Sequence, residues 1–137
     1  MLIVTNFAGN QTEPFFTTSA PIFEQDTQGN LTLEFTVNKI NNVAGFNLLQ
    51  EESIVTAANY DFRVKQIIDD KLGRKSILAI STFFDLAYQF KDKTFGGTHS
   101  SQEFVNYLFT GSGWIATCDF TETETIDKFG SKNIVQC

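Results

Sequence analysis

The chain has 137 residues, 42% of which are hydrophobic, and it carries a net charge of −6 at pH 7. That length suits about one domain, and the apolar share is enough to build a buried core. The negative charge and the lack of a Lys/Arg cluster argue against a direct nucleic-acid partner, because phosphate binding needs concentrated positive charge. No apolar run approaches the roughly 20 residues that span a bilayer, so no membrane segment is expected.

Fifteen phenylalanines and two cysteines are the most informative residue counts. Phenylalanine carries a large apolar area and no polar atom, so its frequency predicts a Phe-rich core or, less commonly, faces that another subunit covers. Cys118 and Cys137 are too few for a disulfide framework. Residues Met1–Asn6 lack the charged start and the small-residue cleavage site of a signal peptide. We therefore expect synthesis in a reducing cytoplasm.

The segment Leu31–Asn38 has the clearest pattern in the chain. Its odd positions are apolar and its even positions are polar, which predicts a strand with one buried and one exposed face. Tyr60–Ile67 alternates in the same way, with Tyr60, Phe62 and Val64 on the apolar face. We expect these two strands to lie in one sheet.

Shorter β-prone runs and turn signals fill the rest of residues 1–80. Two of them lie next to proline, which is tolerated at sheet edges, and are therefore expected to be brief edge strands. The expected strands are Leu2–Val4, Phe15–Phe16, Ile22–Phe23, Ser53–Thr56 and Ser76–Ile80, with turns at Ala57–Asn59 and Asp69–Gly73.

The hydrophobic period changes after residue 80. Apolar residues at i, i+3, i+4 and i+7 predict a helix that begins after Thr82. A second helix is expected after a Ser100–Glu103 capping box. The first helix is carried by Phe83, Leu86, Ala87 and Phe90, and the second by Phe104 and Leu108; Phe95–His99 is expected to be a flexible loop, Trp114–Phe120 a strand, and Phe129–Asn133 a turn.

These patterns predict an α+β chain. Residues 1–80 would form an antiparallel β-barrel or sandwich, and residues 81–137 a smaller α/β segment with two short helices. The segment is expected to be truncated at its C-terminal end, because only four residues follow the turn at 129–133.

His99 is the only histidine in the chain and the first candidate for chemistry. It lies between glycine, threonine and serine residues, without the second ligand that a zinc site needs. Ser100 and Ser101 are adjacent but lack the strand–elbow–helix context of an activated nucleophile. An exposed loop histidine is the favoured interpretation.

Acidic pairs and Trp114 are the remaining candidates. An acid/base pair of the glycosidase type would need two carboxylates at a fixed separation, which the sequence does not set. Solvated turn residues are the favoured interpretation of these acids, and a half-buried aromatic at a strand start is that of Trp114. No catalytic, cofactor-binding or metal-binding residue is assigned; the acids considered are Glu51–Glu52, Asp69–Asp70, Glu122 and Glu124.

The order of segments resembles the N-terminal region of tail-associated hub proteins of siphophages and prophages, also called Tal or prophage endopeptidase tail proteins. The resemblance covers most of the chain from about Gly29 onward. The segments that carry it are LTLEFTVN (31–38), LLQEESIV (48–55), YDFRVKQI (60–67), SILAISTFFDLAYQF (76–90), GGTHSSQEFVNYLFTGSGW (96–114) and DKFGSKNIV (127–135).

This resemblance implies a tail-tube-like β-barrel followed by an α/β lobe, within a baseplate hub. Such a hub is a trimer at the virion tail tip, assembled in the host cytoplasm. It closes the tail tube, docks on the distal tail protein and contacts the tape measure protein. Peptidase or lysin activity in the family lies in C-terminal parts, so none is expected within this chain.

Two other classes of function stay open at this point. A carbohydrate- or receptor-binding β-module is indicated by Trp114, Tyr60 and the polar strand faces. A small hydrolase that uses His99 or paired carboxylates is the least favoured.

Overall fold

The computed structural model describes residues 1–27, 29–89 and 94–130, which fall into two compact units, 1–82 and 83–137. The first unit is almost entirely β-structure, and the second combines a two-stranded antiparallel sheet with short helices. The elements are β1 (Leu2–Thr5), β2 (Thr12–Phe15), β3 (Ile22–Gln25), β4 (Leu31–Asn38), α1 (Val43–Leu48), β5 (Ile54–Ala57), β6 (Tyr60–Asp69), β7 (Arg74–Ser81), a 3₁₀ helix (Thr82–Tyr88), β8 (Thr94–Ser100), α2 (Ser101–Phe109) and β9 (Thr123–Gly130).

Seven strands of the first unit form one antiparallel sheet in the order β2-β1-β5-β6-β7-β4-β3. The predicted bounds of β4 are correct, and β4 and β6 share this sheet with β7 between them. The two proline-flanked runs are its edge strands, as expected. Pro14 lies within β2 and Pro21 directly precedes β3, at positions where a missing N–H does not break the interior of the ladder.

The buried face of the sheet follows the predicted alternation. Leu33 and Val37 of β4 and Phe62 and Val64 of β6 are all 0% exposed. Tyr60 was expected to be buried with them, but it is 57% exposed. It is the first residue of β6, directly after a two-residue turn, so the core does not extend far enough to cover it.

The sheet curls strongly without closing into a barrel. The rings of Phe15 in β2 and Phe35 in β4 lie 5.4 Å apart, although four strands separate β2 from β4 in the sheet order. The N–H of Thr18 also donates to the carbonyl of Thr36 at 2.8 Å. In the part of the chain that the structure describes, β2 and β3 do not pair, so the antiparallel β-unit is an open sandwich.

Helix α1 was not predicted, because six residues are too few to show a helical period. It packs on β2 through Gly45, where an added Cβ would lie 2.8 Å from the Cβ of Phe15. The ammonium of Lys75 donates to the carbonyls of Phe46 and Leu49, each at 2.8 Å, and lies 4.4 Å from the centre of the Phe46 ring. The helix is therefore held by tertiary contacts.

In the second unit, the expected loop at Phe95–His99 is strand β8, paired with β9. This prediction was wrong because the glycines permit close approach of two strands. A Cβ on Gly96 would lie 2.5 Å from the carbonyl oxygen of Asp127. Strand β9 itself was missed, and it includes Phe129 of the expected turn, whose remaining residues 131–133 lie outside the described ranges.

The two predicted helices have different outcomes. Helix α2 and its capping box are confirmed, with the Ser100 side chain and the Glu103 side chain each bonded to the other residue's backbone N–H. The first helix is a 3₁₀ helix that ends at Tyr88, before Phe90, which is outside the described residues.

The predicted strand at Trp114–Phe120 is wrong. Those residues have no regular structure. The Gln102 side chain of α2 donates to the Ala116 carbonyl at 3.1 Å and accepts from the Cys118 N–H at 2.8 Å. These bonds hold the segment along the helix, so it does not join a sheet.

Candidate assembly surface

His99 lies in a strand, in contrast to the expected exposed loop. Its ring stacks on Phe95 with centroids 4.1 Å apart and meets Phe104 edge-on at 5.5 Å. Its Nε2 lies 3.2 Å from the Gly96 carbonyl, and its Nδ1 lies 3.6 Å from a Glu103 carboxylate oxygen. The imidazole therefore serves as part of an aromatic cluster, in contact with the helix cap.

Ser100 is the N-cap residue of helix α2. Its Oγ accepts from the Glu103 N–H at 3.3 Å, and its own N–H donates to the Glu103 carboxylate at 2.8 Å. The bond from the Ser100 N–H is the largest of the causes that lower the pKa of the Glu103 carboxyl, with the nearby His99 contributing less. The Ser100 Oγ also lies 3.2 Å from the same Glu103 carboxylate, and together these bonds stabilise the start of α2.

Three of the candidate acids also have structural partners. Glu52 accepts from Lys65 at 2.8 Å and lies 3.6 Å from Arg63. Asp69 accepts from the Lys71 N–H at 2.8 Å, and Asp70 accepts from the N–H groups of Leu72 and Arg74 at 2.8 and 3.0 Å. Asp69 and Asp70 therefore build a turn. Among the described residues, no group of three or more His, Cys, Asp or Glu side chains is arranged to hold a metal ion.

Trp114 and Tyr60 belong to different units. Trp114 is 41% exposed and packs edge-to-face on Phe83 at 5.5 Å, while Tyr60 begins β6 in the first unit. The carbohydrate-binding alternative stays a prediction.

The most distinctive surface of the first unit lies where β4 ends and β7 begins. We call it the basic loop surface, and it consists of five residues: Lys39, Ile40, Val43, Leu72 and Arg74. They line a cleft of about 480 Å³ together with Asn38 and Gly73.

Three apolar side chains of the basic loop surface face solvent. Ile40 is 77% exposed, Val43 55% and Leu72 91%. The two loops that carry the surface are tied together by the Lys39 N–H, which donates to the Gly73 carbonyl at 2.7 Å. An exposed apolar cluster on a fixed loop pair is typical of a contact surface.

Charge is concentrated at the same end of the sheet. Six of the ten Lys/Arg residues fall within 1–82, and four of them lie in or beside these loops, against the two carboxylates of Asp69 and Asp70; the four are Lys39, Lys71, Arg74 and Lys75. Lys75 is used internally at α1. Within the described residues, the other three cationic groups make no ion pair, so their charge is available to a partner. This surface was not predicted, because its two loops are far apart in the sequence, with Lys39 and Arg74 separated by 35 positions.

Together, the open antiparallel sheet and this surface define a β-rich module suited to contact with another protein. The family model for the prophage endopeptidase tail N-terminal domain matches residues 2–81. The chain therefore belongs to this family of phage tail proteins, which confirms the resemblance. The match ends one residue before the end of the first compact unit.

One similar solved structure is that of prophage tail protein gp18 from Listeria monocytogenes EGD-e. It has a TM-score of 0.73 and 22% sequence identity, over 98% of this chain and 43% of that chain. At this identity the likeness shows a shared fold. The chain spans less than half of that protein's length. No curated protein matches the chain, and no helix in the described ranges has both the length and the apolar character needed to cross a membrane.

Proposed function

We propose that the chain is a structural part of a phage tail tip, namely the N-terminal region of a baseplate hub that closes the tail tube and docks on the distal tail protein. The observation that carries the proposal is the family match over residues 2–81, which covers the whole seven-stranded sheet. The fold shared with a prophage tail protein supports it.

The role proposed for this chain is non-enzymatic. Several of its candidate catalytic groups have structural tasks: Ser100 caps α2, and Asp69 and Asp70 hold the turn before β7. Any peptidase or lysin activity would belong to C-terminal parts of a longer protein.

The proposed partners are further copies of the protein, as a trimer of the full-length chain, together with the distal tail protein and the tape measure protein. The site of action is the virion tail tip, after assembly in the host cytoplasm. Exposed apolar side chains on the first unit, such as Ile40 and Leu72, support a role in contacts between proteins. No direct nucleic-acid binding and no membrane segment are proposed.

Deletion of residues 2–81 from the prophage gene tests the proposal. We expect induced cells to release no complete tails, because the tip cannot form around a missing β-unit. Electron microscopy of the released particles measures this, with His99→Gln as a control that is expected to leave the tails intact. Normal tails from the deletion, or loss of function with normal tails from His99→Gln, would contradict the proposal.

A further inference from the structure

A second surface lies at the other end of β4. Glu24 lies in β3 and Asp26 in the turn that follows it, and the cleft beside them has a volume of about 410 Å³. That cleft is lined by Glu24, Gln25, Asp26, Asn30 and Thr32, so no cationic side chain lines it. We name Ile22, Phe23, Glu24, Gln25 and Asp26 the acidic hairpin surface.

The acidic hairpin surface also exposes apolar groups. Ile22 is 54% exposed and Phe23 is 44% exposed, and all four residues of β3 are exposed. The strand pairs only with β4, so its other edge is open in the described structure. An open edge with apolar side chains is a surface that proteins usually cover.

The two surfaces are complementary in charge and lie along different parts of β4. The acidic hairpin surface runs beside the first half of β4, with Gln25 opposite Leu31 and Ile22 opposite Glu34, and the basic loop surface follows Asn38. The five residues of the basic loop surface include two cationic side chains and no carboxylate, while Asp69 and Asp70 of the same loop accept hydrogen bonds from its backbone N–H groups.

A closed ring of three copies requires two different and complementary surfaces on each copy. In a cyclic trimer each interface is formed by two different surfaces, one from each neighbour. We propose that the basic loop surface of one copy binds the acidic hairpin surface of the next copy, and that this contact forms the trimer. The inference rests on the trimer of the proposed function and names the interface within it.

Two kinds of interaction, burial of apolar side chains and pairing of opposite charges, would contribute to the contact. Ile40, Val43 and Leu72 would lose solvent-exposed apolar area against Ile22 and Phe23, which supplies most of the favourable free energy. Lys39 and Arg74 would meet Glu24, and this pairing sets the orientation and rejects a reversed arrangement. Rim charges of this kind make association weaker as salt concentration rises.

Two charge-reversed proteins test the interface. The first carries Lys39→Glu with Arg74→Glu, and the second carries Glu24→Lys with Gln25→Lys. Asp26 is left unchanged because its carboxylate accepts from the Asn30 N–H at 2.9 Å and fixes the turn. Lys128→Glu, an exposed reversal in β9, is the control, and circular dichroism checks that every variant is folded.

Sedimentation of the whole chain at several concentrations measures the result. We expect the wild type and Lys128→Glu to form trimers, and each double variant alone to sediment as a monomer. A mixture of the two double variants should associate again. The reversed loop surface of the first variant would bind the reversed hairpin surface of the second, and the native loop surface of the second would bind the native hairpin surface of the first. A closed ring of three cannot alternate, so the mixture should give heterodimers and short open chains in place of the closed trimer.

The outcomes separate the two proposals. If the wild type is a trimer and both double variants remain trimers, the interface is wrong and the proposed function stands. If the double variants are monomers and their mixture also stays monomeric, the charge pairing is wrong. If the wild type is monomeric at every concentration, the trimer of the proposed function fails together with the interface.

Discussion

Replacement of Phe15 by alanine is expected to lower the free energy of unfolding of the first unit by about 3–5 kcal/mol, the usual cost of removing a buried phenylalanine ring. Phe15 is 0% exposed, and its ring lies 5.4 Å from that of Phe35. Because β2 and β4 are not hydrogen-bonded neighbours, this ring pair is a principal link between them. Its loss should loosen the curl of the sheet as well as leave a cavity.

Urea unfolding followed by circular dichroism measures the effect of Phe15→Ala. Phe7→Ala is the matched control, because Phe7 is 74% exposed, and it is expected to change the free energy of unfolding by no more than about 0.5 kcal/mol. A loss below about 1 kcal/mol for Phe15→Ala would contradict the role assigned to the ring.

Replacement of Lys75 by methionine is expected to cost about 1.5–3 kcal/mol, the typical contribution of hydrogen bonds to a charged group. Methionine keeps the apolar stem and removes both bonds to the carbonyls of Phe46 and Leu49 at the end of α1. The control is Lys71→Met, in an exposed turn, with an expected change of no more than about 0.5 kcal/mol. Equal effects of the two substitutions would show that Lys75 does not hold the helix.

The difference in the free energy of unfolding between the wild type and Lys75→Met is expected to change with pH. Burial lowers the pKa of Lys75 from its ordinary value of 10.5, Asp69 opposes the shift, and Lys39 adds to it. Between the lowered pKa and 10.5 the unfolded chain binds more protons than the folded chain, so stability rises with pH. The advantage of the wild type over Lys75→Met should therefore grow as the pH rises toward 10.5.

Local patterns in the sequence were enough to predict the strands and the helix cap. Alternation over Leu31–Asn38 gave the bounds of β4, and Pro14 and Pro21 marked the two edge strands. The spacing of Ser100 and Glu103 predicted the capping box. In each case the signal and the structure involve neighbouring residues, so distant parts of the chain do not alter the outcome.

Contacts between distant residues account for the wrong predictions. Gly96 is typical of a loop, but Asp127, 31 positions further on, needs the space that a glycine leaves. Trp114–Phe120 alternates as a strand does, but the Gln102 side chain binds its backbone instead. Helix α1 is too short to show a period, and its stability comes from the close packing of Gly45 on Phe15 and from the bonds donated by Lys75 of β7.

The two candidate surfaces also could not be predicted from the sequence. Lys39 and Arg74 are 35 positions apart and become neighbours only because β4 pairs with β7. No motif marks such a pair. The structural tasks of His99, Asp69 and Asp70 likewise became visible only when their hydrogen-bond partners were known.

The central claim is that this β-unit builds a tail tip by binding copies of itself. Light scattering on the complete protein gives the mass of the assembled particle and tests this claim most directly. The account predicts three times the mass of one chain at low salt, with dissociation as salt concentration rises. A particle with the mass of a single chain at every concentration and salt level would contradict it.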